Sequence, residues 1–252
     1  MKSDLTTIKA YTNQEEKDFR KNLIKLLKSC PIPEDQILSN LGLYLTSKDL
    51  SRILFMDFLF KKIVDVPGVV IEFGTRWGQN IALFSALRGI YDPYNRHRKI
   101  IGFDTFSGFL NIEPQDGKSA MMLKGNLSLS KNYYNYLSKI MDLHEKSNPI
   151  SHIKKYELIK GDAEKELRKY LEKNPETIIS LAFFDFDLYS PTKTCLSLIK
   201  QHIVRGSILA FDELNDHDSP GETIALAEVF GLNNIKLKRY PYTSRTSYFI
   251  VE

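Results

Sequence analysis

From residue 68 onward, short apolar runs rich in β-branched residues alternate with stretches whose apolar positions recur at helical spacing. "GVVIEFG" (68–74), "RKIIGFD" (98–104), "KKYELIKGD" (154–162), "TIISLAFFDFD" (177–187) and "RGSILAFDE" (205–213) read as strands. Helices are expected between them, at about 78–91, over the tyrosine-rich segment 131–146, and at 163–174, 190–203 and 221–231. A glycine-bearing loop, "TFSGFLNIEPQDGKSAMMLKGN", follows the second strand, and the chain closes on "NIKLKRY" and "TSYFIVE" with Pro241 between them. Strands alternating with helices imply βαβ units and a mostly parallel sheet, and nearly continuous apolar strands imply a sheet covered on both faces. The last two runs are too closely linked for a helical crossover, so they should pair antiparallel. The expected fold is α/β: a doubly wound, seven-stranded, Rossmann-like sheet, mostly parallel, with an antiparallel last strand and an N-terminal helical extension.

That extension spans residues 1–64, ahead of a single domain over 65–252. Its first helix, "NQEEKDFRKNLIKLLKSC", carries Phe19, Leu23, Ile24, Leu26 and Leu27 near helical period. Its second, "SKDLSRILFMDFLFKKIVDV", has Ser47 as the expected N-cap and Pro67-Gly68 as the stop. No repeat and no Gly/Ser- or Pro-rich linker divides the rest.

Composition narrows the class. Of 252 residues, 42% are hydrophobic and 26% charged, which suits a soluble globular protein. A net charge of +4, spread along the chain, is too weak to argue for nucleic acid. Cys30 and Cys195 have no metal-ligand spacing and suggest a reducing compartment. The first 20 residues lack the apolar core of a signal peptide, and no run reaches the ~18–20 apolar residues of a membrane span. A cytoplasmic protein with no membrane partner is expected.

The chemistry should lie where strands end. In open α/β sheets ligands bind outside the carboxyl ends of the strands. Here those ends carry Glu72 with Gly74, Asp104, Asp162, Asp185 with Asp187, and Asp212 with Glu213. Burying carboxylates costs several kcal/mol each unless they are paired, so their recurrence on one rim suggests a ligand with donors or a cation. In "EFGTRWG", Gly74 permits a sharp turn and close approach of a ligand, and Gly78 helps the helix pack. The spacing is not G-x-G-x-x-G, and Arg76 and Trp77 are bulky for a pyrophosphate loop; plain strand-to-helix punctuation is the competing explanation. Asp104, about 30 residues after Gly74, is placed to accept ribose hydroxyls or to serve as a simple cap.

"VVIEFGTRWGQN", "IIGFDTFSGF", "IKGDAEKEL", "LAFFDFDLYSPT" and "GSILAFDELN", in this order and spacing, resemble class I S-adenosylmethionine-dependent methyltransferases. Within that group the chain is most similar to the macrocin O-methyltransferase (TylF-like) family, over roughly residues 50–252. The resemblance implies that Glu72, Gly74, Thr75 and Gly78 line the methionine end of S-adenosyl-L-methionine. It implies that Asp104 holds the ribose, with Thr105 and Ser107 nearby, and that Asp162 and Ala163 lie along the adenine. It further implies that Asp185 touches the cofactor region, and Asp185, Asp212 and Glu213 match the family's Mg²⁺ carboxylates. Glu213 and Leu214 stand where the family has Asp and Tyr; Glu keeps hard oxygen ligands on a longer arm.

The implied reaction is methyl transfer to a hydroxyl of a sugar, nucleotide-sugar or other small polar metabolite, in cell-surface glycan or secondary-metabolite biosynthesis. Asp185 and Asp187 are the candidate catalytic residues. Asp187 is the expected base and His217 a weaker alternative. If the Asp-x-Asp segment continues as a strand, the two carboxylates share a face. Tyr133, Tyr134 and Tyr136 could stack on a sugar, although helix packing is the better explanation, and "YNRHRK" (94–99) could meet a diphosphate but reads better as a solvated basic loop. The N-terminal helices are candidates for a homo-oligomer contact or a cover over the acceptor pocket. The competing functions are a hydroxylase-like enzyme of the same fold and a non-catalytic cofactor-binding protein. A nucleic-acid methyltransferase is disfavoured, because there is no basic stripe interleaved with aromatics.

Overall fold

A computed structural model describes residues 13–252. Most of the segment read as lacking a leader, residues 1–12, lies outside the described residues. In chain order the elements are α1 (Gln14–Lys28), α2 (Glu34–Ile37), a 3₁₀ turn (Leu38–Tyr44), α3 (Ser47–Lys62), β1 (Val69–Phe73), α4 (Gln79–Tyr91), β2 (Ile100–Asp104), α5 (Tyr133–Ser147), β3 (Tyr156–Lys160), α6 (Ala163–Lys173), β4 (Ile179–Phe184), α7 (Tyr189–Ile199), β5 (Ile203–Phe211), α8 (Gly221–Phe230), β6 (Lys238–Arg239) and β7 (Ser247–Ile250).

The sheet has seven strands in the order β3-β2-β1-β4-β5-β7-β6. β1 to β5 run parallel; β7 pairs antiparallel with both β5 and β6. This is the expected Rossmann-like architecture. Successive side chains of a strand face opposite sides, so each inner strand feeds two cores. Val70, Leu181 and Phe183 pack with α3, α4 and α5 on one face. Ile71, Phe73, Ala182 and Phe184 pack with α6, α7 and α8 on the other. The exposed edge strand β6 is only two residues long and carries Lys238 and Arg239, which blunts it against pairing with another chain.

Helix α3 starts one residue earlier in its capping than the sequence suggests. Thr46, not Ser47, is the N-cap, accepting from the backbone N–H of Asp49, whose carboxylate accepts from Thr46 in return. The helix stops at Lys62, before Pro67. It belongs to the core layer, with Phe55, Met56, Leu59 and Phe60 fully buried. In contrast α1 buries nothing, and Phe19, Ile24 and Leu26 are exposed. Among the described residues no helix is long and apolar enough to cross a membrane.

The basic segment 94–99 is not simply solvated. Arg98 is 1% exposed. Its guanidinium donates to Asp92, to the Gly68, Ile63 and Val64 carbonyls and to Ser180 Oγ, which ties together the N-terminal ends of β1 and β4. Glu145 is likewise buried between Arg88 and Lys155, with N–O distances of 2.8 and 2.7 Å.

Candidate active site

One cavity of about 1330 Å³ opens at the carboxyl ends of the parallel strands. It brings together Gly74, Thr75, Asp104, Thr105, Asp162, Ala163, Asp185, Asp187, Asp212 and Glu213, which come from five strand ends. Glu72 lies just behind this lining, buried at 1% exposure. Gly78 caps α4, and Ser107 is on the exposed turn after β2. His217 is exposed and contributes nothing to the cavity wall. The tyrosines of α5 are also outside it. Tyr133 donates to the Trp77 carbonyl at 2.9 Å and Tyr134 to the Leu158 carbonyl at 3.3 Å, so they pack the helix in place. Trp77 itself lines the cavity.

Gly74 turns the chain as it leaves β1. It has φ 87°, and a Cβ there would lie 2.0 Å from the Asp185 carbonyl oxygen. Only glycine allows β1 and β4 to approach so closely at the site. The turn beyond it is fastened to β2: Asp104 accepts the backbone N–H of Arg76 at 2.7 Å and of Phe106 at 2.5 Å. Burial raises the Asp104 pKa, against the pull of those two N–H groups and of Arg76. Each carboxylate oxygen can accept more than once, so lone pairs remain for a ligand. The long loop 105–132 folds over the same end. Phe109 and Met122 pack on Leu188, and Asp116, 1% exposed, accepts the Tyr189 N–H at 2.6 Å.

The acids are handled by residues that sequence patterning missed. Arg52, on α3, reaches Asp185 at 2.7 Å and Asp212 at 2.8 Å, while its Nε donates to Asn80 at 3.1 Å. Burial works against the guanidinium charge, but Asp185 and Asp212 outweigh it and the pKa ends raised. Arg245 pairs with Glu213 and Asp216. Ser219 donates to Glu213 at 2.8 Å. Arg52 had one readable signal: it falls on the stripe 52, 55, 56, 59 that is otherwise apolar, where an unpaired charge is costly.

These partners bear on the metal. Asp185 and Asp212 are spanned by a guanidinium, and Glu213 is engaged by Arg245 and Ser219. Among the described residues no group of three or more His, Cys, Asp or Glu is arranged to hold a metal ion. In this arrangement the expected Mg²⁺ set does not fit a divalent cation, because a positive group already lies between two of its members.

Burial and crowding tune the acids upward. Burial, and then Asp185, push the Glu72 carboxyl to about 8, against a hydrogen bond from Asn80. Burial and Asp212 push Asp185 to about 7, against Arg52. Asp187 is raised well above its ordinary value by burial and by contact with the Glu213 carboxyl. The strand geometry expected for Asp-x-Asp does not continue. β4 ends at Phe184 and Asp187 has φ 62°, so the two aspartates do not alternate along one strand face.

No family model matches the chain, and the comparison with curated proteins gives no match. Solved structures do match. CalS11, a calicheamicin methyltransferase, is 39% identical, over 96% of this chain and 94% of that one, with a TM-score of 0.93. The apo form of CalS11, described as a TDP-rhamnose 3′-O-methyltransferase of calicheamicin biosynthesis, is 38% identical over 96% of both chains, with a TM-score of 0.85. The O-methyltransferase NovP shares the fold at 16% identity, over 93% of this chain and 98% of that one, with a TM-score of 0.59. A Rossmann-like sheet, acids gathered at its carboxyl edge and near-full-length identity of this order place the chain in one family: it belongs to the S-adenosylmethionine-dependent O-methyltransferases.

Proposed function

We propose that this enzyme is a TylF-like sugar O-methyltransferase whose acceptor is a deoxysugar carried on a nucleoside diphosphate. The observation that carries this reading is the 39% identity, over almost the whole of both chains, to an enzyme that methylates a TDP-linked sugar. The cavity supports it. At about 1330 Å³ it exceeds the ~300–1,000 Å³ of a typical single-ligand site, leaving room for a second, cofactor-sized ligand. Its lining carries both signs of charge: the strand ends supply carboxylates, with Arg52, Arg76 and Arg245 among them, and Arg20 of α1 and Lys48 of α3 add two further cations beside Glu16. Arg20 and Lys48 are suited to meet the diphosphate of a nucleotide-linked acceptor.

Bound S-adenosylmethionine supplies an electrophilic methyl group. The chain's task is to hold an acceptor oxygen about 3 Å from that carbon, in line with the sulfur. Glu72, Gly74, Thr75 and Gly78 shape the methionine end. Asp104, with Thr105 and Ser107, receives the ribose, and Asp162 and Ala163 flank the adenine. A sugar hydroxyl is a poor nucleophile near neutral pH. Asp187, 8% exposed and with its pKa raised, takes its proton when in the carboxylate form. Arg52 keeps Asp185 and Asp212 in place beneath the reacting groups. The Mg²⁺ set implied by family resemblance, Asp185, Asp212 and Glu213, opens only if Arg52 withdraws.

The test is direct. Purified enzyme is incubated with S-adenosylmethionine and TDP-rhamnose, and with free rhamnose in parallel. S-adenosylhomocysteine release and a methyl-sized gain in acceptor mass are followed. Turnover of the nucleotide sugar and not the free sugar is expected; the reverse preference would sink the reading.

A further inference from the structure

Asp187 holds a conformation that needs support. Its φ of 62° lies in the left-handed region, which residues other than glycine adopt rarely and at a cost. It sits three residues past the end of β4 and two before α7 begins, so no regular element fixes it. Its backbone N–H and that of Phe186 are turned away from any strand partner. Both go to one group: the Oε1 atom of Glu222, at 3.3 Å from the Asp187 N and 2.9 Å from the Phe186 N.

Glu222 is otherwise hard to explain. It is fully buried at 0% exposure on the first turn of α8. It makes no ion pair among the described residues, its Oε2 has no hydrogen-bond partner among them, and it is not part of the cavity wall. Burial beside Glu213, Asp185 and Asp212 pushes its carboxyl well above the ordinary range. A leucine of similar size would avoid that cost. The approach of α8 is itself specific. A Cβ at Gly221 would lie 2.6 Å from the Tyr189 N and 2.7 Å from Asp116 Oδ1, so glycine there lets the helix come close enough for Glu222 to reach the turn. Asp116 holds the same segment through the Tyr189 N–H.

We propose that Glu222 is a positioning residue for methyl transfer. By taking both N–H groups at 186 and 187, it locks the turn in the left-handed form that presents the Asp187 carboxyl to the cavity and to Glu213. The role rests on Asp187 acting as the base. It assigns Glu222 an effect on the rate of the chemical step with little effect on binding.

The experiment compares Glu222→Leu, Glu222→Gln, Asp187→Asn and the Asp187→Asn/Glu222→Leu double variant. kcat and KM are measured with S-adenosylmethionine and TDP-rhamnose, and S-adenosylhomocysteine affinity by calorimetry. Leu removes the acceptor. kcat should fall on the order of a hundredfold, the cost of misplacing a reacting group by about an ångström, with KM and S-adenosylhomocysteine affinity within about threefold. Gln keeps a carbonyl acceptor and should stay within about fivefold of wild type. In the Asp187→Asn background, adding Glu222→Leu should cost less than about twofold, because the two act as one unit. If the Leu variant does not fold, Glu222→Asp, one methylene too short to reach both N–H groups, should show the same loss. A crystal structure of either variant should find residue 187 out of the left-handed region. Wild-type kcat in Glu222→Leu, or a full second loss in the double variant, overturns the role of Glu222. Wild-type turnover in Asp187→Asn overturns instead the base assignment on which it rests.

Discussion

Glu72→Gln offers the sharpest test of the electrostatics of this site. Glu72 is the penultimate residue of β1, at 1% exposure, with Oε2 unpartnered among the described residues. Burial, and then the Asp185 charge, move its pKa from an ordinary 4.5 to about 8, against a hydrogen bond from Asn80. The folded protein therefore keeps a proton at pH 7 that the unfolded chain has already released. Where the folded state binds more protons, stability falls as pH rises. For this acid the favourable term is present below about pH 4.5 and is lost by about pH 8. Integrating between pH 5 and pH 8 gives a loss of about 3–4 kcal/mol. Gln has the shape of the neutral acid and nothing to titrate, so it removes this slope. Urea unfolding of both proteins at pH 5, 6, 7 and 8 should show Glu72→Gln gaining on wild type by about 3–4 kcal/mol across the range. That corresponds to roughly 6–16 °C in Tm for a chain of this length. A difference that changes by less than about 1 kcal/mol would mean that Glu72 is ionised in the folded state, and the description of the site floor would be wrong.

Three other perturbations follow from the same geometry. Arg52→Ala takes away the cation between Asp185 and Asp212. Mn²⁺ affinity measured by electron paramagnetic resonance should rise by about tenfold or more, and no rise would show that these acids do not form a cation site. The Arg20→Ala/Lys48→Ala double variant should raise KM for TDP-rhamnose by about tenfold, leaving S-adenosylhomocysteine affinity within about twofold; an unchanged KM would place the diphosphate elsewhere. Gly74→Ala puts a Cβ 2.0 Å from the Asp185 carbonyl oxygen at φ 87°. It should cost at least ~2 kcal/mol, combining left-handed strain and overpacking, and lower the thermal midpoint accordingly; a native midpoint would show that the turn relaxes freely.

What the sequence determined by itself is the frame and the acidic rim. Strand identity follows from runs such as "VVIEF" and "ISLAFF", whose burial on both faces requires nearly continuous apolar character. Because the strands are parallel and each ends in an acid, the convergence of Asp104, Asp162, Asp185 and Asp212 was legible from local order alone. What neutralises and aims those acids was decided only by tertiary structure. Arg52 meets partners 133 and 160 positions away in the chain, and a single sequence carries no record of such a pairing beyond one cation on an apolar stripe. Asp187 shows the limit most plainly. Local period predicts a strand face shared with Asp185, but two hydrogen bonds to Glu222, 35 and 36 residues downstream, hold the turn in a different conformation. Buried N–H groups must find acceptors wherever the fold provides them, and which acceptor arrives depends on how α8 packs, not on the residues beside the turn.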